Sequence, residues 1–172
     1  MGAEVCLVLG PSSLKPAYSS LNVVSVESAD AMLEAMQGRY DSSDVVICSA
    51  AVADYKLQQV ATEKIKKKDT NLTLDLVKNV DILAFLGETK TNQFLVGFAL
   101  ETEHEEQHAK EKLKRKKLDA IVLNSLRVQG AGFGTDTNQV KIFFKDGESK
   151  EIVLNLKTEI AKHILSNIVS KL

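Results

Sequence analysis

Five short runs of nearly continuous apolar residues, at 5–9, 23–26, 45–48, 94–98 and 120–123, limit the folds open to this chain. They are rich in Val, Ile and Leu and do not alternate with polar residues, as strands covered on both faces do in a parallel sheet. Parallel neighbours need crossover connections, and helical patterns lie between the runs. Ser28 caps a predicted helix reaching Gln37, with Gly38 as its stop. Asn79 caps a second over 80–86, ended by Gly87, and Thr102 with Glu105 forms a capping box for a third. The third turns basic over 112–117, which complements the helix dipole. A last helix is predicted over 158–169. Before it, runs at 140–144 and 151–154 flank Asp146-Gly147, a strong hairpin signal. The predicted fold class is α/β: a three-layer Rossmann-like domain with a mostly parallel sheet and a C-terminal antiparallel hairpin.

One stretch, 55–71, breaks the alternation and reads as an irregular polar loop. It follows Ser49-Ala50-Ala51-Val52-Ala53-Asp54-Tyr55 at the end of a strand and carries Lys64-Ile65-Lys66-Lys67-Lys68. Small residues admit a ligand to the backbone, a carboxylate serves a cation or hydroxyl, and ammonium groups neutralise phosphate. Ligands of open α/β sheets bind at the carboxyl ends of the strands, so this segment is a candidate nucleotide-triphosphate site. Lys112 and Lys116 share a helix face and either converge with Lys64 on phosphate or form a soluble surface. Phe98 is a core residue, or stacks on a base. Asn79 and Asp81 stand at a helix start, suited to polar groups or explained by capping alone.

Other patterns are weaker. His104-Glu105-Glu106-Gln107-His108 matches a zinc-protease motif, yet it opens a helix of Glu, Lys and Gln with no evident third ligand or enclosed cleft. A solvated helix face is the reading adopted, and no resident metal site is assigned. Gly130, Gly132 and Gly134 around Phe133 either close over a ligand or form a turn. No Walker loop and no G-x-G-x-x-G is present. Cys6 and Cys48 sit in apolar runs and are expected to be buried, reduced thiols. A net charge of -1 gives no global attraction to nucleic acid or anionic membrane. No run approaches the length of a membrane span and Met1-Gly2 lacks the myristoylation pattern, so a cytoplasmic location is expected.

Six ordered motifs resemble the bacterial phosphopantothenate-cysteine ligase family, the synthetase half of the coenzyme A biosynthesis flavoprotein. They are Ala50-Ala51-Val52-Ala53-Asp54-Tyr55, Glu63-Lys64-Ile65-Lys66-Lys67, Val77-Lys78-Asn79-Val80-Asp81-Ile82, Val96-Gly97-Phe98-Ala99-Leu100-Glu101-Thr102, Arg115-Lys116-Lys117-Leu118-Asp119 and Gly132-Phe133-Gly134-Thr135-Asp136-Thr137-Asn138. The resemblance implies attack of the 4'-phosphopantothenate carboxylate on the α-phosphorus of CTP with Mg²⁺, giving an acyl-cytidylate and pyrophosphate. Cysteine then displaces CMP. Carried over by position, Lys64 is the loop lysine acting on the charged transition state and Asp54 holds the nucleotide. Ala50, the segment Asn79, Val80, Asp81, Ile82 and Leu83, and Phe98 contact the cytidine, while Lys112 and Lys116 bind phosphate or ribose. A homodimer, and fusion to or partnership with a flavin-dependent decarboxylase, are further implications.

The sequence departs from the family pattern at Val80, often Pro, and at its amino end. The family's first strand, Gly-rich turn and Asn-containing loop have no counterpart here, so 1–172 is read as one ligase-like domain lacking that segment. The chain alone is accordingly expected to make little acyl-cytidylate. Two other readings fit the same α/β pattern: an NAD(P)-dependent Rossmann-type reductase, which needs a glycine fingerprint, and a nucleotide-binding module without turnover.

Overall fold

In the computed structural model, residues 2–14, 16, 18, 21–66, 71–125 and 134–172 are described, and they group into two compact units. The first unit comprises Met1–Met36 and Ala50–Ile82, and the second Gln37–Ser49 and Leu83–Leu172.

In the first unit, β1 (Cys6–Leu9) and β2 (Asn22–Ser25) pair in parallel. Helix α1 (Ala29–Tyr40) begins there, with the Ser28 hydroxyl accepting a hydrogen bond from the Ala31 N–H at 3.1 Å, as expected of a cap. The helix continues through Gly38, correcting the predicted stop: Gly lowers helix propensity by only about 1 kcal/mol and the turns around it outweigh that. Cys6, expected buried, is exposed at the first position of its strand, and Cys48 is only half-buried. The predicted irregular stretch also needs correction. Tyr55–Leu57 is β4, paired antiparallel with β5 (Leu76–Lys78). Each is three residues long, too short to leave a periodicity.

The second unit is built on a five-stranded sheet in the order β3 (Val45–Cys48), β6 (Phe94–Glu101), β7 (Ala120–Ser125), β8 (Thr137–Phe144) and β9 (Ser149–Leu156). The β3–β6 and β6–β7 pairs are parallel and the last two pairs antiparallel. The α/β class, the parallel central strands and the terminal hairpin are as the sequence indicates. At the hairpin, Gly147 supplies a φ of 94° that a side chain would resist.

Strand alternation sorts this sheet into two covered faces. Val96, Ala120, Val122, Val140, Ile142, Phe144 and Ile152 pack with Ile160, Ile164 and Ile168 of α4 (Lys157–Val169). The spacing of those isoleucines is one helical stripe. Ile121 and Phe143 have the opposite parity, and so face the other side, against which α3 (Glu105–Arg115) packs through buried Ala109 and Leu113. Truncating a fully buried residue such as Ile142 to Ala would cost about 2–5 kcal/mol.

Two predicted helix boundaries move. Helix α2 is Ile82–Thr89, so Gly87 lies inside it, and Asn79 stands outside as a strand-to-strand clamp instead of a cap. A Cβ on Gly87 would lie 1.9 Å from the Lys116 carbonyl oxygen, so close helix approach rather than termination requires the glycine. The start of α3 also lies beyond the predicted cap at Thr102. The N-cap of α3 is His104, left-handed at φ 45° and ψ 38°, with no side-chain cap hydrogen bond. Histidine adopts this region more readily than branched residues do.

Candidate active site

Of the residues singled out from the sequence, Ala50, Asp54, Lys64, Asn79, Val80, Asp81 and Ile82 belong to the first unit. Leu83, Phe98, Lys112 and Lys116 belong to the second.

In the first unit the end of β5 is stitched to the small-residue segment. The Asn79 N–H donates to the Asp54 carbonyl at 2.7 Å, and the Asn79 side-chain amide donates to the Ala53 carbonyl at 2.9 Å. These bonds continue the β4–β5 ladder, in which Tyr55 faces Lys78. The structure therefore joins two motifs that are distant in sequence. Asn79 Oδ1 is buried without a hydrogen-bond partner, an acceptor whose desolvation costs about 1–3 kcal/mol unless a donor reaches it. Ala50, Asp54, Val80 and Asp81 are exposed around this clamp. Lys64 is exposed as well, while Lys67 and Lys68 lie outside the described residues. Lys56 pairs with Asp30 and is thereby tied to α1.

In the second unit the carboxyl ends of β6 and β7 meet the start of α3. Glu101 is paired in register with Ser125, whose hydroxyl donates to Glu105 at 3.1 Å. Lys112 Nζ donates to Glu101 Oε1 at 2.5 Å, and His108 Nδ1 stands 3.6 Å from Glu101 Oε2. Glu101, His108, Glu111, Lys112 and Arg115 line a recess of about 200 Å³. Sequence reasoning missed Glu101. It lay within a quoted motif, but its pairing with Lys112, on a different element, left no local pattern.

Lys116 is half-buried on the same helical side as Lys112, one turn on, and lies near Cys48. Burial pushes the Cys48 thiol up to about 11, and the Lys116 ammonium opposes part of that rise. The thiol is thus protonated and poorly nucleophilic at neutral pH. Leu83 packs beneath Gly97, and Phe98 packs on the α4-side core while staying half-exposed, so it serves the core and retains an accessible ring surface.

The base of this unit is held by Asp119, only 2% exposed. It accepts from the Leu95 N–H at 2.8 Å, Lys90 Nζ at 2.7 Å and Lys145 Nζ at 2.5 Å. Burial alone would raise its pKa, but the Leu95 N–H and the two ammonium groups together hold it below the ordinary carboxylate range. Tyr40 donates to the Leu86 carbonyl at 2.7 Å, fixing α2, and burial with nearby negative groups pushes its phenol up to about 12.

His104 and His108 have ring centroids 6.1 Å apart, and among the described residues no group of three or more His, Cys, Asp or Glu side chains gathers to hold a metal. The glycine loop at 130–132 and Phe133 lie outside the described residues. No helix among the described residues is long and apolar enough to cross a membrane.

The whole chain, residues 1–172, matches the family model described as DNA/pantothenate metabolism flavoprotein C-terminal domain. It is 46% identical over 170 residues to the coenzyme A biosynthesis bifunctional protein CoaBC of Bacillus subtilis (strain 168), covering 99% of this chain and 42% of that protein. It is 45% identical over 171 residues to a cysteine/cysteine sulfinic acid decarboxylase from an unknown prokaryotic organism, covering 99% and 48%. The chain therefore spans less than half the length of these relatives. Among solved structures, the C-terminal domain of a coenzyme A biosynthesis bifunctional protein CoaBC superposes with a TM-score of 0.81 at 45% identity, over 99% of this chain and 77% of that one.

Proposed function

The chain belongs to the family of DNA/pantothenate metabolism flavoprotein C-terminal domains, and from that membership we propose that it ligates 4'-phosphopantothenate to cysteine in coenzyme A biosynthesis, consuming CTP. The reaction proceeds in two halves. The 4'-phosphopantothenate carboxylate attacks the α-phosphorus, forming an acyl-cytidylate and releasing pyrophosphate. The cysteine amine then attacks the acyl carbon and CMP leaves.

The observation that carries this reading is the pair of cationic side chains Lys112, on α3, and Lys116, its C-cap four residues on, with Lys112 anchored at the carboxyl end of β6. A carboxylate approaches a polyphosphate only when the phosphate charge is offset, and fixed ammonium groups do this without reorganising during the reaction. Lys64 acts on the charge that develops during transfer. Ala50, Asp54 and the 79–83 segment hold the cytidine. Phe98 offers its half-exposed ring to the base. Magnesium enters with the nucleotide as part of the substrate, bound chiefly by phosphate oxygens.

The proposal extends to a cytoplasmic homodimer working with a flavin-dependent decarboxylase, in keeping with the bifunctional name of the Bacillus relative. Calorimetric titration of CTP, ATP and NADPH into one preparation tests the nucleotide assignment. Tightest binding is expected for CTP, and tighter binding of NADPH would replace the ligase with a reductase.

A further inference from the structure

The geometry points to Glu101 as the internal counter-ion of Lys112, a positioning residue that sets the lysine in place and holds down its affinity for phosphate. This inference rests on the assignment of Lys112 to the nucleotide's phosphates.

The Glu101 side chain is 15% exposed and that of Lys112 36% exposed. One carboxylate oxygen takes a proton-bearing contact from Lys112 at 2.5 Å and the other faces His108 Nδ1 at 3.6 Å. An ammonium has three donors, so this contact leaves two for an incoming phosphate. Anchoring removes much of the side chain's rotameric freedom before the ligand arrives, which favours binding. The carboxylate charge acts in the opposite sense, because it neutralises the cation and repels any polyanion that approaches it. Arg115 and Glu111, on the same recess, are opposite in sign to one another and leave Glu101 as the charge that offsets Lys112.

The two effects separate in Glu101→Gln, whose amide oxygen still accepts from Lys112 while the charge is gone. The probe is inorganic triphosphate, titrated by calorimetry into the full chain, with CTP as a second ligand. Glu101→Gln is expected to tighten triphosphate binding by about tenfold, the scale of removing one nearby like charge in a partly solvated site. Glu101→Asp, which keeps the charge, should not tighten it. In a Lys112→Gln background the gain from Glu101→Gln should disappear. During turnover Glu101→Gln should lower the KM for CTP without raising kcat, a split that simple loss of structure does not produce.

Unchanged or weaker triphosphate binding by folded Glu101→Gln, or an equal gain without Lys112, overturns the counter-ion role. Should Glu101→Gln fail to fold, tighter binding by a folded Glu101→Asp overturns it, and unchanged or weaker binding supports it. No effect of Lys112→Gln on triphosphate binding overturns the phosphate assignment together with it. Failure of the ligase reading shows separately, as absent CTP-dependent pyrophosphate release by the wild-type protein expressed from its native reading frame.

Discussion

The carbonyl oxygen of Lys116 occupies the place where a side chain on Gly87 would begin, 1.9 Å from an ideal Cβ. The C-cap of α3, Lys116, is thereby seated on α2. Lys117, at φ 51°, adds an ion pair to Glu88 at 2.5 Å across the same seam.

Gly87→Ala should therefore damage both stability and nucleotide binding. Backbone cannot yield as a flexible side-chain tip does, so a loss of about 3 kcal/mol or more is expected from chemical denaturation. In whatever fraction folds, CTP affinity should drop with the displacement of Lys116. A fully stable Gly87→Ala protein would show that the two helices are not in fixed contact.

Asp119 gives a prediction with a defined pH window. Asp119→Asn leaves Lys90 and Lys145 without their carboxylate, and a loss of about 3 kcal/mol is expected at pH 7. The folded pKa of Asp119 is depressed, so its contribution is present above the unfolded carboxylate value of about 3.9 and is lost as pH falls through the lower folded value. The difference between wild type and variant should thus be constant from pH 7 to about 5 and shrink in stronger acid. A difference that grows below pH 4 would contradict the assignment.

The lysines should divide by role. In the protein expressed from its native reading frame, Lys64→Gln is expected to lower turnover by about 100- to 1000-fold with little change in CTP affinity, as removal of one transition-state contact does. Lys112→Gln should chiefly weaken CTP binding. Steady-state kinetics and calorimetry on the same variants distinguish the two, and equal small effects would mean solvated surface lysines.

The histidine pair should bind no zinc. Metal analysis of protein purified without added metal is expected to give far less than one zinc per chain, unaffected by His104→Ala. Stoichiometric zinc that the substitution removes would restore the protease-like motif as a metal site.

The parts of the fold legible in the sequence were those with long-range repetition. Residues 94–98 and 120–123 mark β6 and β7, buried on both faces, and Asp146-Gly147 marks the hairpin. Helix ends were less legible because their determinants are tertiary: Gly87 reads as a stop until the Lys116 carbonyl is beside it. The apolar runs at β1, β2 and β3 are only partly covered, so continuity of hydrophobic residues overstated their burial. For the candidate site, Lys112, Lys116, Asp54 and Asn79 were visible as residue types in motifs. The Asn79 clamp on Ala53 and the Glu101 contact with Lys112 join separate elements, and no local spacing encodes them.

Pyrophosphate release is the most direct test of the ligase assignment, measured with the protein expressed from its native reading frame. With 4'-phosphopantothenate, magnesium and CTP all present, pyrophosphate should appear at up to one equivalent per active site. Adding cysteine should then give continuous turnover with one CMP per 4'-phosphopantothenoylcysteine formed. Pyrophosphate release that ignores 4'-phosphopantothenate, or product formation without CTP or any other nucleoside triphosphate, would contradict it.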